Sequence, residues 1–327
     1  MKLRHFVAAV AIAASPLLAS CDRDPSPLAE GQFAFGVIGD APYTGIEERL
    51  FDVLVGDLQQ ERLAWIIHIG DILRLPCSDS MFLSRREKLR SIGHPIVYTP
   101  GDNEWTDCHA DDAGGYRPLE RLSRLREIFF TDAEAGLTGD LRLASQADDA
   151  AWSEFVENTR WHHAGIVFAT FHLVGSRNGL NRFSERTAED DAAVRRRTVA
   201  AAAWLRQTFA VANERQSRAV VLALHADPDF EGERPGSRAH YDPFLATLEE
   251  EAARFGRTIL LLHGDTHLLR MDSPLVNRAT GDTIRNLNRV ETFGSPDVGW
   301  IRVVVDTLEE PLFRFEADRV SWLELLR

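Results

Sequence analysis

Five apolar, strand-like runs in this sequence each stop at metal-capable side chains, and this recurrence restricts the fold more than any other feature. The groups that end the runs are Asp40, Asp71, the trio Asp102, Asn103 and Glu104, then His225, and finally Asp265 with His267. In α/β proteins the carboxyl ends of parallel strands form one edge, where ligands bind. The sequence therefore predicts that these groups converge on a single site.

Carboxylates gathered at one edge repel one another unless cations neutralise them. One aspartate after one strand commonly caps the next helix, so Asp40 or Asp71 alone would not indicate a site. Glycine precedes four of the aspartates, at 39–40, 70–71, 101–102 and 264–265. Glycine lets the chain turn sharply and a ligand approach the backbone. The pattern predicts an open catalytic site that holds two ions of Mn, Fe or Zn.

Strand-like and helical patterns alternate along the chain. Apolar residues at Ile46, Leu50, Leu54 and Leu58 give a helical stripe over 44–61, between predicted strands at 33–40 and 63–71. These three segments are expected to form a right-handed, parallel βαβ unit. Further helices are predicted at 84–92, 118–130, 187–212 and 242–256. Further strands are predicted at 94–102, 218–227 and 257–267, and a strand or hairpin at 163–175.

After Ser273 the pattern changes to hairpins, whereas 131–160 is polar and rich in loops. Parallel and antiparallel strands with interleaved helices favour an α/β fold in which a sandwich of two mixed sheets is covered by helices on both sides. The sequence has no internal repeat and no convincing linker after residue 31. We expect one catalytic domain over 32–327.

The first 21 residues resemble a bacterial lipoprotein signal. A basic start, "MKLRH", is followed by an apolar run and by "LASC", which ends at Cys21. The apolar run is short for a membrane span and ends in small residues, as cleavable signals do. We expect Cys21 to be lipidated, residues 22–31 to form a flexible tether, and the protein to face the periplasm from the inner or outer membrane. An ordinary signal peptide is the alternative.

Export places the two other cysteines in an oxidising compartment. Cys77 follows the loop after Asp71, and Cys108 follows the loop that contains Asp102. If these loops lie side by side, a disulfide between the two cysteines would hold the rim of the site. The alternative is a pair of buried free thiols.

The charge balance is acidic, with 50 Asp and Glu residues against 37 Lys and Arg and a net charge of −13. The chain has no basic stripe, so no nucleic-acid partner is expected. The sequence carries no signal for oligomeric state.

In their order along the chain, Asp40, Gly70-Asp71, "GDNE" at 101–104, His225 and "GDTH" at 264–267 resemble the motifs of the calcineurin-like metallophosphoesterases. The resemblance covers roughly residues 33–267. It implies a four-layer α/β/β/α sandwich and a dinuclear centre at which a metal-bridging hydroxide attacks phosphorus. It also implies a small phosphoester, a phosphomonoester or phosphodiester, as substrate.

The resemblance assigns the ligands residue by residue. Asp40 and His267 match ligands of metal one, Asp71 matches the bridging ligand, and His225 matches a ligand of metal two. The Gly-Asn-His-Glu element of the family falls on residues 101–104. Asp102 then replaces the asparagine ligand, and Asn103 replaces the histidine that protonates the leaving group. If the alignment with the family element is shifted by one residue, Asn103 is instead the metal ligand.

Other positions depart from the family. Pro42 replaces the histidine of Asp-x-His, which leaves Tyr43 as a further candidate ligand of metal one. Asp265 replaces a histidine of metal two, and exchanging imidazole for carboxylate favours Mn or Fe over Zn. With Asn103 at the acid position, His172 and Glu104 are candidates to protonate the leaving group.

Three residues are candidates for substrate binding, namely Arg74, Arg177 and Asn178. Arginine binds phosphate through two parallel hydrogen bonds, although surface ion pairs are the alternative role for both arginines. The sequence as a whole predicts a metal-dependent phosphoesterase. The alternative is a catalytically degenerate lipoprotein of the same fold that acts as a binding module in the cell envelope, and a metallopeptidase lacks its His-Glu-x-x-His motif.

Overall fold

Two mixed β-sheets form the centre of the protein. The structure, a computed structural model, describes residues 27–130, 137–234 and 236–326. One sheet has five strands in the order β12-β11-β1-β2-β3, and the other has seven in the order β4-β5-β6-β7-β8-β10-β9. The strands are β1 Gln32–Ile38, β2 Ile66–His68, β3 Ile96–Tyr98, β4 Ala144–Ser145, β5 Thr159–His163, β6 Ile166–Phe171, β7 Ala219–Leu224, β8 Thr258–His263, β9 Arg270–Asp272, β10 Leu287–Glu291, β11 Gly299–Asp306 and β12 Phe313–Arg319.

In the described part of the chain, five α-helices and one short helical turn connect these strands. They are α1 Gly45–Gln60, α2 Asp79–Ser91, α3 Pro118–Phe129, the turn α4 Gly175–Gly179, α5 Ala188–Glu214 and α6 Asp242–Phe255. The Thr44 hydroxyl accepts the Glu47 backbone N–H at the start of α1. Thr187 and Asp190 form a capping box at the start of α5. These side chains satisfy backbone donors that a helix start leaves free.

Three apolar cores separate four layers. Ala34 and Ile38 of β1 point to a core shared with α1, α2 and α3, while Phe35 and Val37 point to a core between the two sheets. Strand residues alternate between the two faces of a sheet, which explains this division. The third core packs α5 and α6 against the outer face of the seven-stranded sheet. The predicted α/β/β/α sandwich is confirmed.

The parallel pairs β1–β2, β2–β3, β6–β7 and β7–β8 all end at the same side of the molecule as the predicted site residues. Each predicted helix and strand is found, with shifts of a few residues at the ends. The segment 163–175, predicted as a strand or a hairpin, contains β6 and the turn at Ala164 and Gly165 that joins it to β5 in a hairpin.

The C-terminal hairpins are only partly as predicted. β11 and β12 pair as a hairpin, and β11 also pairs antiparallel with β1. "ATGDTIRNL" at 279–287 instead forms a turn with one bridge, Val276 to Thr283, and leads into β10. β10 runs parallel to β8. Sequence patterning predicts turns well but leaves open which strand each segment joins.

The predicted signal and Cys21 lie outside the described residues. Of the predicted tether, Leu28 packs against the outer core, and the Gly31 carbonyl accepts hydrogen bonds from Thr307. These contacts fasten the last residues of the segment to the domain. Among the helices of the described residues, none combines the length and apolarity needed to span a bilayer.

Candidate metal centre

The ends of strands from both sheets bring the predicted ligands together. Asp40 and Asp71 follow β1 and β2 of the five-stranded sheet, whereas His225 and Asp265 follow β7 and β8 of the seven-stranded sheet. The site thus lies where the carboxyl edges of the two sheets meet. No helix or single sheet could supply this set alone.

His225 lies at the middle of two clusters of buried ligand atoms, Asp40–Asp71–His225 and Asp102–His225–Asp265. Its Nε2 is 3.4 Å from Asp71 Oδ1, 2.8 Å from Asp102 Oδ1 and 3.8 Å from Asp265 Oδ1. Its Nδ1 is 3.0 Å from the Ile69 carbonyl oxygen, which can only accept a proton. Nδ1 therefore donates to that carbonyl, and Nε2 is the nitrogen that faces the carboxylates.

His267 repeats this arrangement on the other side of Asp40. Its Nδ1 is 2.7 Å from the Ser295 carbonyl oxygen, and its Nε2 is 3.7 Å from Asp40 Oδ1. The Tyr43 ring lies 5.5 Å from the His267 ring, and the Tyr43 hydroxyl donates to Asp71 Oδ2 at 2.5 Å. Backbone carbonyls thus orient both imidazoles, and Tyr43 orients one carboxylate.

The backbone is strained where it presents the ligands. Asp40, Asp71, Asp265 and His267 all have left-handed conformations, with φ of 53°, 55°, 77° and 66°. Non-glycine residues adopt positive φ at a cost and persist there when surrounding contacts fix them. Here the hydrogen bonds Asp40 N to Gly70 O and Asp265 N to Asp40 Oδ1, both 3.1 Å, link the strained turns.

Glycines leave the room that the carboxylates occupy. A Cβ at Gly264 would overlap Asp40 Oδ2, and one at Gly101 would overlap Asp71 Oδ1. A Cβ at Gly175 would overlap both Asp265 Oδ1 and Asp102 Oδ1. Close approach to a carboxylate therefore explains Gly175 and the glycines of the "GD" dipeptides at 101–102 and 264–265.

The electrostatics call for a cation. Burial raises the pKa of Asp40 to about 8 and that of Asp265 to about 7, and it raises the pKa of Asp71 well above its usual range. Burial by itself would lower the pKa of His225, but the charge of Asp71 and the other carboxylates raises it well above the usual range. Protons are retained here because the cluster has too much negative charge for a buried site.

The residues fit a pair of metal ions. Asp40 Oδ2 is buried without a hydrogen-bond partner among the described residues, although a buried carboxylate oxygen without a partner is costly. Four carboxylates and two imidazoles whose Nε2 atoms face them form a hard, mostly oxygen donor set. Such a set suits Mn or Fe in an open site.

No protein-family model matches the sequence, and no curated protein is significantly similar to it. The structure is similar to that of PhoD, with a TM-score of 0.54 at 11% identity over 91% of this chain and 73% of that chain. The chain has the calcineurin-like metallophosphoesterase fold. Two further solved structures are similar at lower scores. TT1561 of Thermus thermophilus has a TM-score of 0.45 at 12% identity, over 88% of this chain and 99% of that one. A novel phosphatase from Mycoplasma pneumoniae has a TM-score of 0.38 at 12% identity, over 90% and 99%.

Within this metallophosphoesterase fold, the loop after β3 presents Asp102 to the site. Asp102 Oδ1 lies against His225, whereas Asn103 contributes its backbone N–H, which donates to Asp71 Oδ1 at 3.1 Å. Burial by itself would raise the pKa of Asp102, but hydrogen bonds from His225 and Ser176 hold it below its usual value. Of the two alignments left open by the sequence, the geometry favours Asp102 as the ligand.

Cys77 and Cys108 form a disulfide with a Cα–Cα distance of 5.7 Å. Both sulfurs contact the Asn103 carbonyl oxygen, at 3.3 and 3.4 Å. The disulfide therefore links the loop after β2 to the loop after β3. It contacts this second loop at Asn103, the residue next to Asp102.

Neither candidate acid suggested for the leaving group lies where it could act. His172 is completely buried, and its Nδ1 is 2.6 Å from Glu157 Oε1. Burial lowers its pKa to about 4. Glu104 is also buried and accepts hydrogen bonds from the Tyr98 hydroxyl and the Ile72 N–H. Both are structural, because each is enclosed by the core behind the loop instead of facing solvent.

The three residues proposed to bind substrate lie in different environments. Arg74 and Arg177 are exposed, and Arg177 Nε is 3.3 Å from His240 Nε2. Asn178 is buried, where its amide donates to the Thr198 hydroxyl and the His240 carbonyl. The prediction that Asn178 binds substrate is therefore wrong, since its side chain holds the loop in place.

Ser176 is the site residue that sequence reasoning missed. Its Oγ lies 2.8 Å from Asp102 Oδ2 and 2.6 Å from Asp107 Oδ2. Ser176, Arg177 and Asn178 are three consecutive residues with φ between 47° and 58°. The small residues of "VGSRNG" were the available signal, because such a turn suits glycine, serine and asparagine.

Proposed function

We propose that this protein is a metal-dependent phosphoesterase with a dinuclear centre. The observation that carries the proposal is the double cluster in which His225 lies between Asp40–Asp71 and Asp102–Asp265. Two adjoining sets of buried anionic ligands are suited to two neighbouring cations that share a substrate. The likeness to PhoD supports the fold on which this proposal rests.

The candidate ligands can be assigned to two ions. Asp40, Asp71 and His267 would hold one, while Asp71, Asp102, His225 and Asp265 would hold the other. Bound ions would supply positive charge for the phosphate and lower the pKa of a coordinated water. Mn or Fe is proposed over Zn because carboxylates outnumber imidazoles.

The remaining groups orient this machinery. The Ile69 and Ser295 carbonyls fix the tautomers of His225 and His267, so that Nε2 of each is free to bind. Tyr43 and the Asn103 N–H hold the two oxygens of Asp71. Ligands fixed in this way lose less freedom when they bind. Arg177 and Arg74, both exposed, are proposed to contact the substrate phosphate.

Neither of the two acids that the sequence suggested, His172 and Glu104, is available to protonate a leaving group, and this has a consequence for substrate choice. An amide at Asn103 has no acidic proton to give, and both alternative acids are buried in the core. Loss of general acid catalysis costs about 10²–10⁴-fold for a poor leaving group. We therefore propose that the substrate is a small phosphoester with a good leaving group.

Hydrolysis of chromogenic esters tests the activity. The protein, stripped with a chelator and reloaded with Mn²⁺, is assayed with p-nitrophenyl phosphate, bis(p-nitrophenyl) phosphate and matched alkyl esters. We expect turnover of an aryl ester, loss of activity on chelation, recovery with Mn²⁺, and a strong preference for aryl over alkyl esters. No turnover with any divalent cation would contradict the proposal.

Asp71→Asn provides the matched variant. Because Asp71 belongs to both proposed ion sites, the exchange should lower metal content and abolish turnover while leaving the fold unchanged. Asp140→Asn, at an exposed position, is the control and should retain both the metal content and the turnover of the wild type. A fully metal-loaded, active Asp71→Asn protein would exclude the shared role.

A second function, a binding module without catalysis, is favoured by Pro42 at the position of a family histidine and by the altered "GDNE" element at 101–104. Metal analysis of the pure protein separates the two, because close to two bound ions per chain favour the enzyme. From the N-terminal sequence we further propose a lipid anchor at Cys21 and a periplasmic location. Release of a Cys21→Ser variant from the membrane fraction would support the anchor, and unchanged membrane association would exclude it.

A further inference from the structure

Exposed apolar side chains border one side of the metal centre. Ile46, Leu268 and Leu269 are 51%, 58% and 39% exposed, and Pro296 is exposed as well. These four residues are called the apolar rim below. Exposed apolar side chains are common one at a time, so the feature that needs an explanation is the position of these four.

A chain of hydrogen bonds brings the three segments of the apolar rim together at one ligand. His267 Nδ1 donates to the Ser295 carbonyl oxygen at 2.7 Å, and the Ser295 hydroxyl donates to Glu47 Oε1 at 2.9 Å. Each residue of this chain has a member of the apolar rim beside it in the sequence, namely Leu268, Pro296 and Ile46. The rim is therefore one feature, although it comes from three distant parts of the chain.

Tyr43 connects the apolar rim to the proposed ligands. Its ring centre lies 5.5 Å from that of His267, and its hydroxyl donates to Asp71. Ile46 follows three residues later, in the first turn of α1. The rim thus adjoins the residues that would hold the first ion.

The charged residues next to the apolar rim in the sequence are already engaged. Arg270 and Asp297, which directly follow rim residues, form ion pairs with Glu291 and Arg319 at 2.6 and 2.9 Å. Glu47, which follows the rim residue of α1, is only 3% exposed. These charges have partners within the protein, so the rim is suited to an apolar group.

The residues beside the second ion site have the opposite character. The Ser176 hydroxyl contacts Asp102. The next residue, Arg177, is exposed, and its Nε lies 3.3 Å from His240 Nε2. The centre therefore has a cationic side and an apolar side, which favours a substrate with an anionic group and a hydrocarbon group.

We propose that the apolar rim binds the organic group of the phosphoester, and that this group is an apolar alkyl or aryl group. The inference rests on the phosphoesterase function proposed above. Because the phosphate oxygens of a bound ester face the ions, its organic group lies where the rim is. A sugar there would exchange hydrogen bonds to water for contact with side chains that offer none. An alkyl or aryl group would instead remove its own surface and that of the rim from water.

Calorimetric titration of the Mn²⁺-loaded protein with methylphosphonate and octylphosphonate tests the proposal. The two probes share one head group, contain no ester bond to hydrolyse, and differ only in the hydrocarbon chain. Full-length Cys21→Ser protein is used, below the concentration at which octylphosphonate forms micelles. We expect octylphosphonate to bind at least about tenfold more tightly, since each fully buried CH₂ group contributes about fourfold in affinity.

Leu268→Ser and Leu308→Ser form a matched pair of variants. Leu268→Ser removes hydrocarbon from the apolar rim and should weaken octylphosphonate binding about fivefold without changing methylphosphonate binding. Leu308 is 66% exposed and follows the end of β11 that pairs with the start of β1, whereas Asp40 follows the other end of β1. The control should bind both phosphonates as the wild type does. Ile46→Ser/Leu268→Ser should bring the two affinities to within about threefold of each other.

The outcomes separate this inference from the proposed function. Equal affinity for the two phosphonates, or equal losses in Leu268→Ser and Leu308→Ser, would overturn the inference and leave the phosphoesterase proposal standing. No binding of either phosphonate to the metal-loaded protein would overturn both. The inference would also be wrong if Leu268→Ser kept its affinity for octylphosphonate but no longer bound phosphatidylcholine vesicles that the parent protein binds. That result would assign the apolar rim to a bilayer surface.

Discussion

His225 Nε2 lies 2.8 Å from Asp102 Oδ1, although 123 residues separate the two along the chain. The contact joins the loop after β3 of one sheet to the end of β7 of the other. Both side chains are buried, and each carries part of the proposed second ion site. The contact therefore makes the centre depend on how the two sheets pack together.

Asp102 and Asn103 should differ sharply when they are exchanged for alanine. Asp102→Ala removes a carboxylate from the cluster and should lower the metal content to about one ion per chain. Asn103→Ala keeps the backbone N–H that contacts Asp71 and should retain both ions. Inductively coupled plasma mass spectrometry of the two variants checks this. Loss of an ion from Asn103→Ala alone would reverse the assignment.

Gly175 should not tolerate a methyl group. The added Cβ of Gly175→Ala overlaps the facing oxygens of Asp102 and Asp265, so metal affinity should fall by about 10–100-fold. Gly56→Ala is the matched control, because that Cβ would meet no described atom within 4 Å inside α1. The control should retain metal and gain about 0.5–1 kcal/mol in stability. Equal metal affinity in the two variants would contradict the proposed close packing.

The stability of the metal-free protein should depend on the protonation of Asp40. Burial raises its pKa in the folded state to about 8, against 3.8 for an ordinary aspartate. Between these pH values the folded state holds a proton that the unfolded state has lost. Relative to Asp40→Asn, the wild type should therefore lose stability as pH rises from about 4 to about 8, by up to about 1.4 kcal/mol per pH unit.

Urea unfolding in chelator at several pH values measures this difference. Below pH 4 and above pH 8, the free energies of unfolding of the wild type and of Asp40→Asn should change in parallel with pH. Mn²⁺ should abolish the loss in the wild type, because the cation takes over the role of the proton. Parallel curves throughout would show that Asp40 titrates normally.

Removal of the disulfide should affect both stability and the site. Cys77→Ser/Cys108→Ser opens a loop with a sequence separation of 31 and should cost about 3–4 kcal/mol in the free energy of unfolding. Metal affinity should also fall, since both sulfurs support the Asn103 carbonyl beside Asp102. Reduction of the wild type should reproduce both effects. An unchanged metal affinity would limit the disulfide to stability.

The convergence of the candidate ligands could be predicted because each follows an apolar strand. Strand periodicity and the glycine before each aspartate are local properties, and local sequence encodes them directly. The positions of His172 and Asn178 could not be predicted in this way. His172 comes just after β6, as His225 does after β7, yet it turns into the core and binds Glu157. Only the packing of neighbouring elements decides which way such a side chain points.

By itself the sequence determined the order of strands and helices, the four-layer class and the residues that could hold metal ions. The tertiary structure decided that Asp102 and not Asn103 faces His225, and that Ser176 joins the site. The physical reason is the distance along the chain over which each kind of interaction acts. Hydrophobic periodicity and turn chemistry act over a few residues, whereas the direction of a side chain and the charge around it depend on segments far apart in the chain.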